Sequence, residues 1–260
     1  MSSIPSSKNG IITIPTELRD SLSCLDIVCS DIFETGDPEE AKKHEADFLK
    51  GAPLKWINLA EDENSPMVKR DGFNDLIELI KRKTNKPCLI TDVSLRYQSG
   101  SGGSTLAMQV LWHFRKDLRC ARVIDSDLDT KELSKQVVDL FLLSNEKHTK
   151  PNRKTVLLLL DTRKKINDLP IKNIIWEDLI DEIQKRRINT ETPAVIILNC
   201  IPTDFTLTNT MILPPKLSEE EIKKFKEKLL QQIRLQKKRP LESYDHKSVS
   251  SQRQRRISTS

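Results

Sequence analysis

The sequence predicts an α/β fold of three layers, a parallel sheet with helices on both faces. Three observations carry this. The runs "KTVLLLLDT" and "PAVIILNC" (193–200) are continuously apolar, the mark of strands buried on both sides in a parallel sheet. Strand-like and helix-like segments alternate from about residue 68 to 238, as βα units do. A glycine-rich stretch, "SGSGG" (99–103), sits where one strand hands over to one helix. In such sheets ligands bind beyond the carboxyl ends of the strands.

Residues 1–45 have strand-like and helix-like pieces without a sustained period. Residues 1–66 are read as the end of a preceding region and a linker, 67–238 as the α/β domain, and 239–260 as a disordered basic tail. "RDGFNDLIELIKRK" puts Phe73, Leu76, Ile77 and Ile80 on one helical face. "CLITDVSL" (88–95) is a partly β-branched strand. Leu106, Ala107, Val110, Leu111, Phe114 and Leu118 form a wide apolar helical stripe. "CARVID" (120–125) is a strand and 130–144 a helix. "WEDLIDEIQKRR" (176–187) is a helix with Trp176, Leu179, Ile180 and Ile183 inward, and 208–215 contains a short strand. The long helix that follows opens with Ser218 and Glu221 at capping-box spacing. Ile222, Phe225, Leu229 and Ile233 form its stripe.

Composition bounds the function. The chain has 260 residues, 37 % apolar and 31 % charged. No apolar run approaches the roughly 18 residues of a membrane span, and the N-terminus lacks the apolar core of a signal peptide; a cytoplasmic chain without membrane insertion is expected. Five cysteines without a Cys-x-x-Cys pair, and four scattered histidines, point to reduced thiols rather than zinc. From Lys237 onward seven basic residues face two acidic ones, a surplus equal to the whole net charge of +5. The body is therefore about neutral, which weighs against nucleic acid as the partner of the folded module.

The glycine stretch has the chemistry of a phosphate-binding loop, so the domain is read as P-loop NTPase-like. Glycines allow backbone amides to converge on an anion, and the helix starting near Ser104 aims its free amides and dipole the same way. Gly100, Ser101, Gly102, Gly103, Ser104 and Thr105 are the candidate nucleotide-binding residues. Ser104 takes the place of the hydroxyl that ligates magnesium. Two consensus positions depart from the pattern. Gly103 stands where lysine belongs, and Tyr97 where the first glycine belongs. A plain glycine turn is the competing reading. Asp161 ends the strand "VLLLLD" and is the second candidate magnesium ligand, for magnesium carried by ATP or GTP. The residue after it is Thr162 rather than a second acid, which argues against fast hydrolysis. Asn199, at the end of "VIILN", is placed to read a γ-phosphate; a turn asparagine is the competing reading. His113, Trp56 and Trp176 read as packed or solvated residues, and "RRIS" (255–258) as a possible kinase site in the tail.

The run "SGSGGSTLAMQVLWHFRKDLRCARV" resembles the lysine-lacking loop and following helix of the sterile alpha motif domain-containing protein 9 and 9-like family. The resemblance continues through "TVLLLLD", "AVIILNC" and "LSEEEIKKFKEKL", and upstream through "CLDIVC" and "KWIN…MVKRDGF". It covers roughly residues 20–238. It implies the P-loop module of a large cytoplasmic protein similar to STAND signalling NTPases. The implied roles are in innate-immune antiviral defence, growth restraint and endosome regulation. It implies a loop from Gly100 to Thr105 with Asp161 as magnesium-site acid. Family members commonly carry a second acid after that aspartate, from which Thr162 departs. A nucleotide switch, at most a slow NTPase, is the first expectation. The alternative is a pseudo-NTPase scaffold acting through self-association or through other domains of a larger protein.

Overall fold

Five consecutive residues, Val156–Leu160, have no solvent exposure at all, and the rest of the fold is arranged around that strand. The structure is a computed structural model that describes residues 2–5, 11–14, 16–29, 43–44, 46–48, 52–59, 68–124, 129–143, 153–161, 165–166, 169–202, 211–213 and 216–238. In chain order, β1 (Ser2–Pro5) and β2 (Ile11–Ile14) form a hairpin, followed by α1 (Thr16–Ser21) and β3 (Leu25–Ile27). A 3-10 turn at Trp56–Leu59 precedes α2 (Phe73–Thr84), β4 (Ile90–Tyr97), α3 (Gly103–Phe114), β5 (Arg119–Val123), α4 (Thr130–Leu142) and β6 (Val156–Leu160). Then come β7 (Lys165–Ile166), β8 (Leu169–Pro170), α5 (Ile171–Lys185), β9 (Val195–Pro202), β10 (Met211–Leu213) and α6 (Glu219–Lys238).

The main sheet has six strands in the order β10-β4-β9-β6-β5-β3. All its pairings are parallel except the antiparallel edge pair of β3 with β5. Alternate residues of β6 serve different layers. Val156, Leu158 and Leu160 pack with α4 and α5, whereas Leu157 and Leu159 pack with α2 and α3. This is the three-layer α/β arrangement expected from the apolar runs. The next strand after β4 is β5, three places along the sheet, while the next sheet strand after β9 is β10, on the far side of β4. The chain thus diverges between β4 and β9, which opens the crevice where α/β sheets hold ligands.

Several boundaries move from those read in the sequence. β4 and β9 each run two residues further toward the carboxyl edge, and α5 begins at Ile171 rather than 176. The described residues between 2 and 29 pack against the α/β body. Ile4, Ile14, Leu22, Leu25 and Ile27 lie in the core beneath α4 and α5, and β3 extends the sheet. Short strands of three or four residues leave too little periodicity to be seen in the sequence. The stripe assigned to α6 is a correction. Ile222, Phe225 and Leu229 are 38 %, 38 % and 56 % exposed, and Leu230 is 53 % exposed; the first turn of α6 is anchored through Glu221. The side chain of Ile233, Thr162 and the whole of 239–260 fall outside the described residues.

A buried cation organises the sheet's far side. Arg119 has no exposure and donates to the carbonyls of Pro5, Leu140, Phe141 and Leu143. It thereby holds the last turn of α4, whose carbonyls lack helical partners, and the β1 strand against β5. Burial lowers its pKa to about 10, so it remains charged at neutral pH. The cysteines behave as small hydrophobes: Cys29, Cys120 and Cys200 are buried and none of the five is bridged. Burial pushes the Cys120 and Cys200 thiols well up, disfavouring the reactive thiolate. Iodoacetamide at pH 8 is therefore expected to alkylate Cys24 and Cys88 on the native chain while sparing Cys29, Cys120 and Cys200 until denaturant is added. Peptide mass mapping reads this, and early labelling of Cys120 or Cys200 would contradict the packing described.

Candidate functional site

The loop between β4 and α3 is set by two glycines with left-handed backbone, Gly100 at φ 82° and Gly102 at φ 84°, which a side chain rarely adopts. Gly102 is the N-cap of α3 and supplies no side-chain cap. The first-turn amides of α3 therefore face the loop, as a helix N-terminus does when it meets an anion. Ser101 amide closes the turn onto Gln98 carbonyl at 2.9 Å. Its hydroxyl, in a residue only 6 % exposed, has no hydrogen-bond partner, an omission that buried polar atoms seldom tolerate without a ligand or water.

Gly103 explains the absence of lysine in steric terms. A Cβ at this position would overlap Cγ, Cδ1 and Cδ2 of Tyr97. The tyrosine ring, 3 % exposed, occupies the space where a lysine stem would start. Its hydroxyl is 3.2 Å from Ser104 Oγ and donates to Asp161 Oδ1 at 3.2 Å. Burial raises the Tyr97 pKa, the Ser104 contact opposes this, and the charge of Asp161 adds to the rise. The phenol is therefore a neutral donor. The two departures from the loop pattern, Tyr97 and Gly103, are halves of one packing contact.

The structure thus brings together Ser104 and Asp161, the two candidate magnesium ligands, around one point. A hydroxyl and a carboxylate are the hard oxygen donors that magnesium takes, with phosphate oxygens completing its shell, so the residues fit the group. Asn199 is not brought to this cluster. It pairs in register with Ser94 and Leu160, three residues short of the level of Tyr97. Strand parity places it in the row of Leu160, on the α4 and α5 side, opposite Tyr97. Thr105 lies in the first turn of α3, half-buried. Arg163 and Lys164, like Thr162, lie outside the described residues. His113 stands edge-on to Phe73 and Phe114, and Trp56 is core with the Arg122 guanidinium 5.6 Å from its ring centre, both as packing residues.

A further pair was not legible in the sequence. Glu221 forms the expected capping box, accepting from Ser218 amide at 2.8 Å while its own amide donates to Ser218 Oγ at 3.1 Å. Its other oxygen accepts from Arg70 Nε at 2.6 Å and from Asp71 amide at 3.0 Å. Arg70 in turn donates to the Ser101 carbonyl of the loop. Arg70 and Glu221 are 7 % and 1 % exposed. The loop is therefore tied to the start of α6 through one buried ion pair spanning 151 residues of sequence. Nothing local marks Arg70 as anything but one charge in "VKRDG", and Glu221 reads only as a capping-box residue.

Comparison with known proteins decides the kinship. No family model matches the chain. Human sterile alpha motif domain-containing protein 9 is 31 % identical over 198 residues, 70 % of this chain. The human and mouse sterile alpha motif domain-containing protein 9-like sequences are each 29 % identical, over 245 and 244 residues, 87 % of this chain. The chain is a homologue of the sterile alpha motif domain-containing protein 9 and 9-like family. It spans about 15 % of the length of the 9-like relatives and 12 % of human protein 9. Among solved structures it is similar to C. elegans PCH-2, at 17 % identity and a TM-score of 0.39, covering 81 % of this chain and 53 % of that one. It is also similar to a chain of the E. coli MS115-1 HORMA:CdnC:Trip13 complex, at 14 % identity and a TM-score of 0.29, covering 77 % and 63 %. Among the described residues no helix of this family member is long and apolar enough to cross a membrane.

Proposed function

We propose that this chain is the nucleotide-binding switch module of a sterile alpha motif domain-containing protein 9-type signalling protein. In this reading ATP or GTP with magnesium binds at the carboxyl edge of the sheet, and turnover is slow or absent. The observation that carries the reading is the convergence of Ser104 and Asp161 beside an uncapped helix N-terminus and a loop of left-handed glycines. Gly103 removes the lysine charge that stabilises phosphoryl transfer, and Thr162 brings no second acid. Binding can therefore act by shifting an equilibrium between states, provided the states differ in affinity. The innate-immune, antiviral, growth-restricting and endosomal roles of such a protein, and its cytoplasmic location, belong to this proposal through kinship.

Ser104→Ala and Asp161→Ala are each expected to weaken binding of MgATP or MgGTP by about tenfold, the effect of losing one charge-assisted contact, with little effect in EDTA. Isothermal calorimetry on the purified chain reads this. Absence of heat for the wild type at millimolar ATP and GTP would sink the reading and leave the scaffold alternative, in which the α/β body serves self-association or docking of other domains. A wild-type melting temperature that rises with nucleotide would count against that alternative.

A further inference from the structure

We propose that Tyr97 is a latch on the metal position of the loop: its phenol holds Ser104 and Asp161 in the nucleotide-free state, and a magnesium-nucleotide binds by displacing it. The inference rests on the nucleotide reading above and adds the regulation of that same site.

Geometry is its basis. One oxygen, Tyr97 Oη, lies 3.2 Å from Ser104 Oγ and 3.2 Å from Asp161 Oδ1. These are the atoms a divalent cation would take, and the phenol engages both. A cation meeting this pair has to replace the proton that the phenol donates to the carboxylate. The ring is held by the loop itself. It packs on Gly103, where an added Cβ would overlap it, and it lies in the core with Leu106 and Leu198. A lysine at 103 and a tyrosine at 97 exclude each other. The missing lysine is thus the condition for the latch, rather than a gap in the site.

The latch lowers apparent affinity for the metal complex by the fraction of molecules in which the phenol has let go. Tyr97→Phe keeps the ring and removes both hydrogen bonds. In the full 260-residue chain it is expected to tighten MgATP or MgGTP binding about tenfold, the worth of two ordinary hydrogen bonds, and to leave binding in EDTA unchanged. Calorimetry with magnesium and with EDTA separates the two. The wild type offers a second measurement, independent of whether the variant folds. The chain has two tyrosines, Tyr97 and Tyr244, so fluorotyrosine labelling gives two fluorine resonances. Removing the fluorine label from position 244 with Tyr244→Phe assigns them. The Tyr97 resonance is expected to move on saturation with the magnesium complex and to stay in place with nucleotide in EDTA.

Tighter binding by Tyr97→Phe than by the wild type, in magnesium alone, supports the latch. Equal affinities in magnesium, or weaker binding by the variant under both conditions, overturn it while the nucleotide reading stands. A Tyr97 resonance unmoved at saturation overturns it too. Absence of binding by both proteins removes the latch and the nucleotide reading together.

Discussion

Gly103→Lys, the change that restores the loop consensus, is expected to destabilise the protein by about 3 kcal/mol rather than to repair it. The Cβ alone overlaps three atoms of the Tyr97 ring. Tyr97 cannot step aside cheaply, because it is 3 % exposed and packed among Leu106, Leu198 and Cys200. Forcing extra atoms into a filled core costs about 1–3 kcal/mol, occasionally more, and the lysine ammonium also meets a partly desolvated site. Thermal unfolding is expected to fall by roughly 5–10 °C for a chain of this size. Tyr97→Gly alone leaves a cavity and costs about 3–5 kcal/mol. Combined in one chain, the two changes should cost about 1–3 kcal/mol less than their sum, since each removes the other's obstacle. Additive costs would show that the ring is not what excludes the lysine.

Glu221→Ala is expected to cost about 3–5 kcal/mol. It removes the acceptor of Arg70 Nε, Asp71 amide and Ser218 amide at once. The Arg70 guanidinium, in a site only 7 % exposed, loses its Nε acceptor, and removing one partner of a buried ion pair is costly. Glu221→Gln keeps an acceptor oxygen and should cost about 1–2 kcal/mol. Urea unfolding gives both numbers. Hydrogen exchange adds a local readout: the amides of 100–106 and the first turn of α6 should lose protection together, because Arg70 also holds the Ser101 carbonyl. An alanine variant within about 0.5 kcal/mol of wild type, or loosening of α6 alone, would show that the loop and α6 are not coupled.

The same pair bears on how a nucleotide signal would leave the domain. The loop, Arg70, Glu221 and the start of α6 form one hydrogen-bonded chain. Beyond that first turn Phe225, Leu229 and Leu230 are exposed. A change in the loop has a direct mechanical route to α6.

Much of this was legible in the sequence. A strand buried on both faces must be apolar without a break, so "VLLLL" and "AVIIL" announce a parallel sheet before any coordinate is known. Glycines ahead of an apolar helix announce the loop, and Ser218 with Glu221 announces a helix start, because these devices are local and each residue's partner lies within a few positions. The α6 stripe shows the limit of such reasoning. Helical periodicity reports that a face is apolar; it does not report what covers it, and here Ile222, Phe225 and Leu229 stand open. Asn199 shows another limit. The end of the apolar run was legible, but not which face Asn199 takes: parity sets it in the row of Ile197 and Leu160, and register sets it three residues short of Tyr97.

The sequence by itself determined the layers, the parallel order of the core and the place of the loop, since these follow from periodicity and from residues near one another in the chain. Only the tertiary structure decided what the loop's two departures mean. Tyr97 and Gly103 are six positions apart and look like separate losses, yet they meet because β4 and α3 fold back on each other. Asp161 joins them from a strand 64 residues away, and Glu221 reaches Arg70 across 151. Contacts of that span are made by packing, whose specificity lies in three-dimensional fit rather than in any local pattern of residue types.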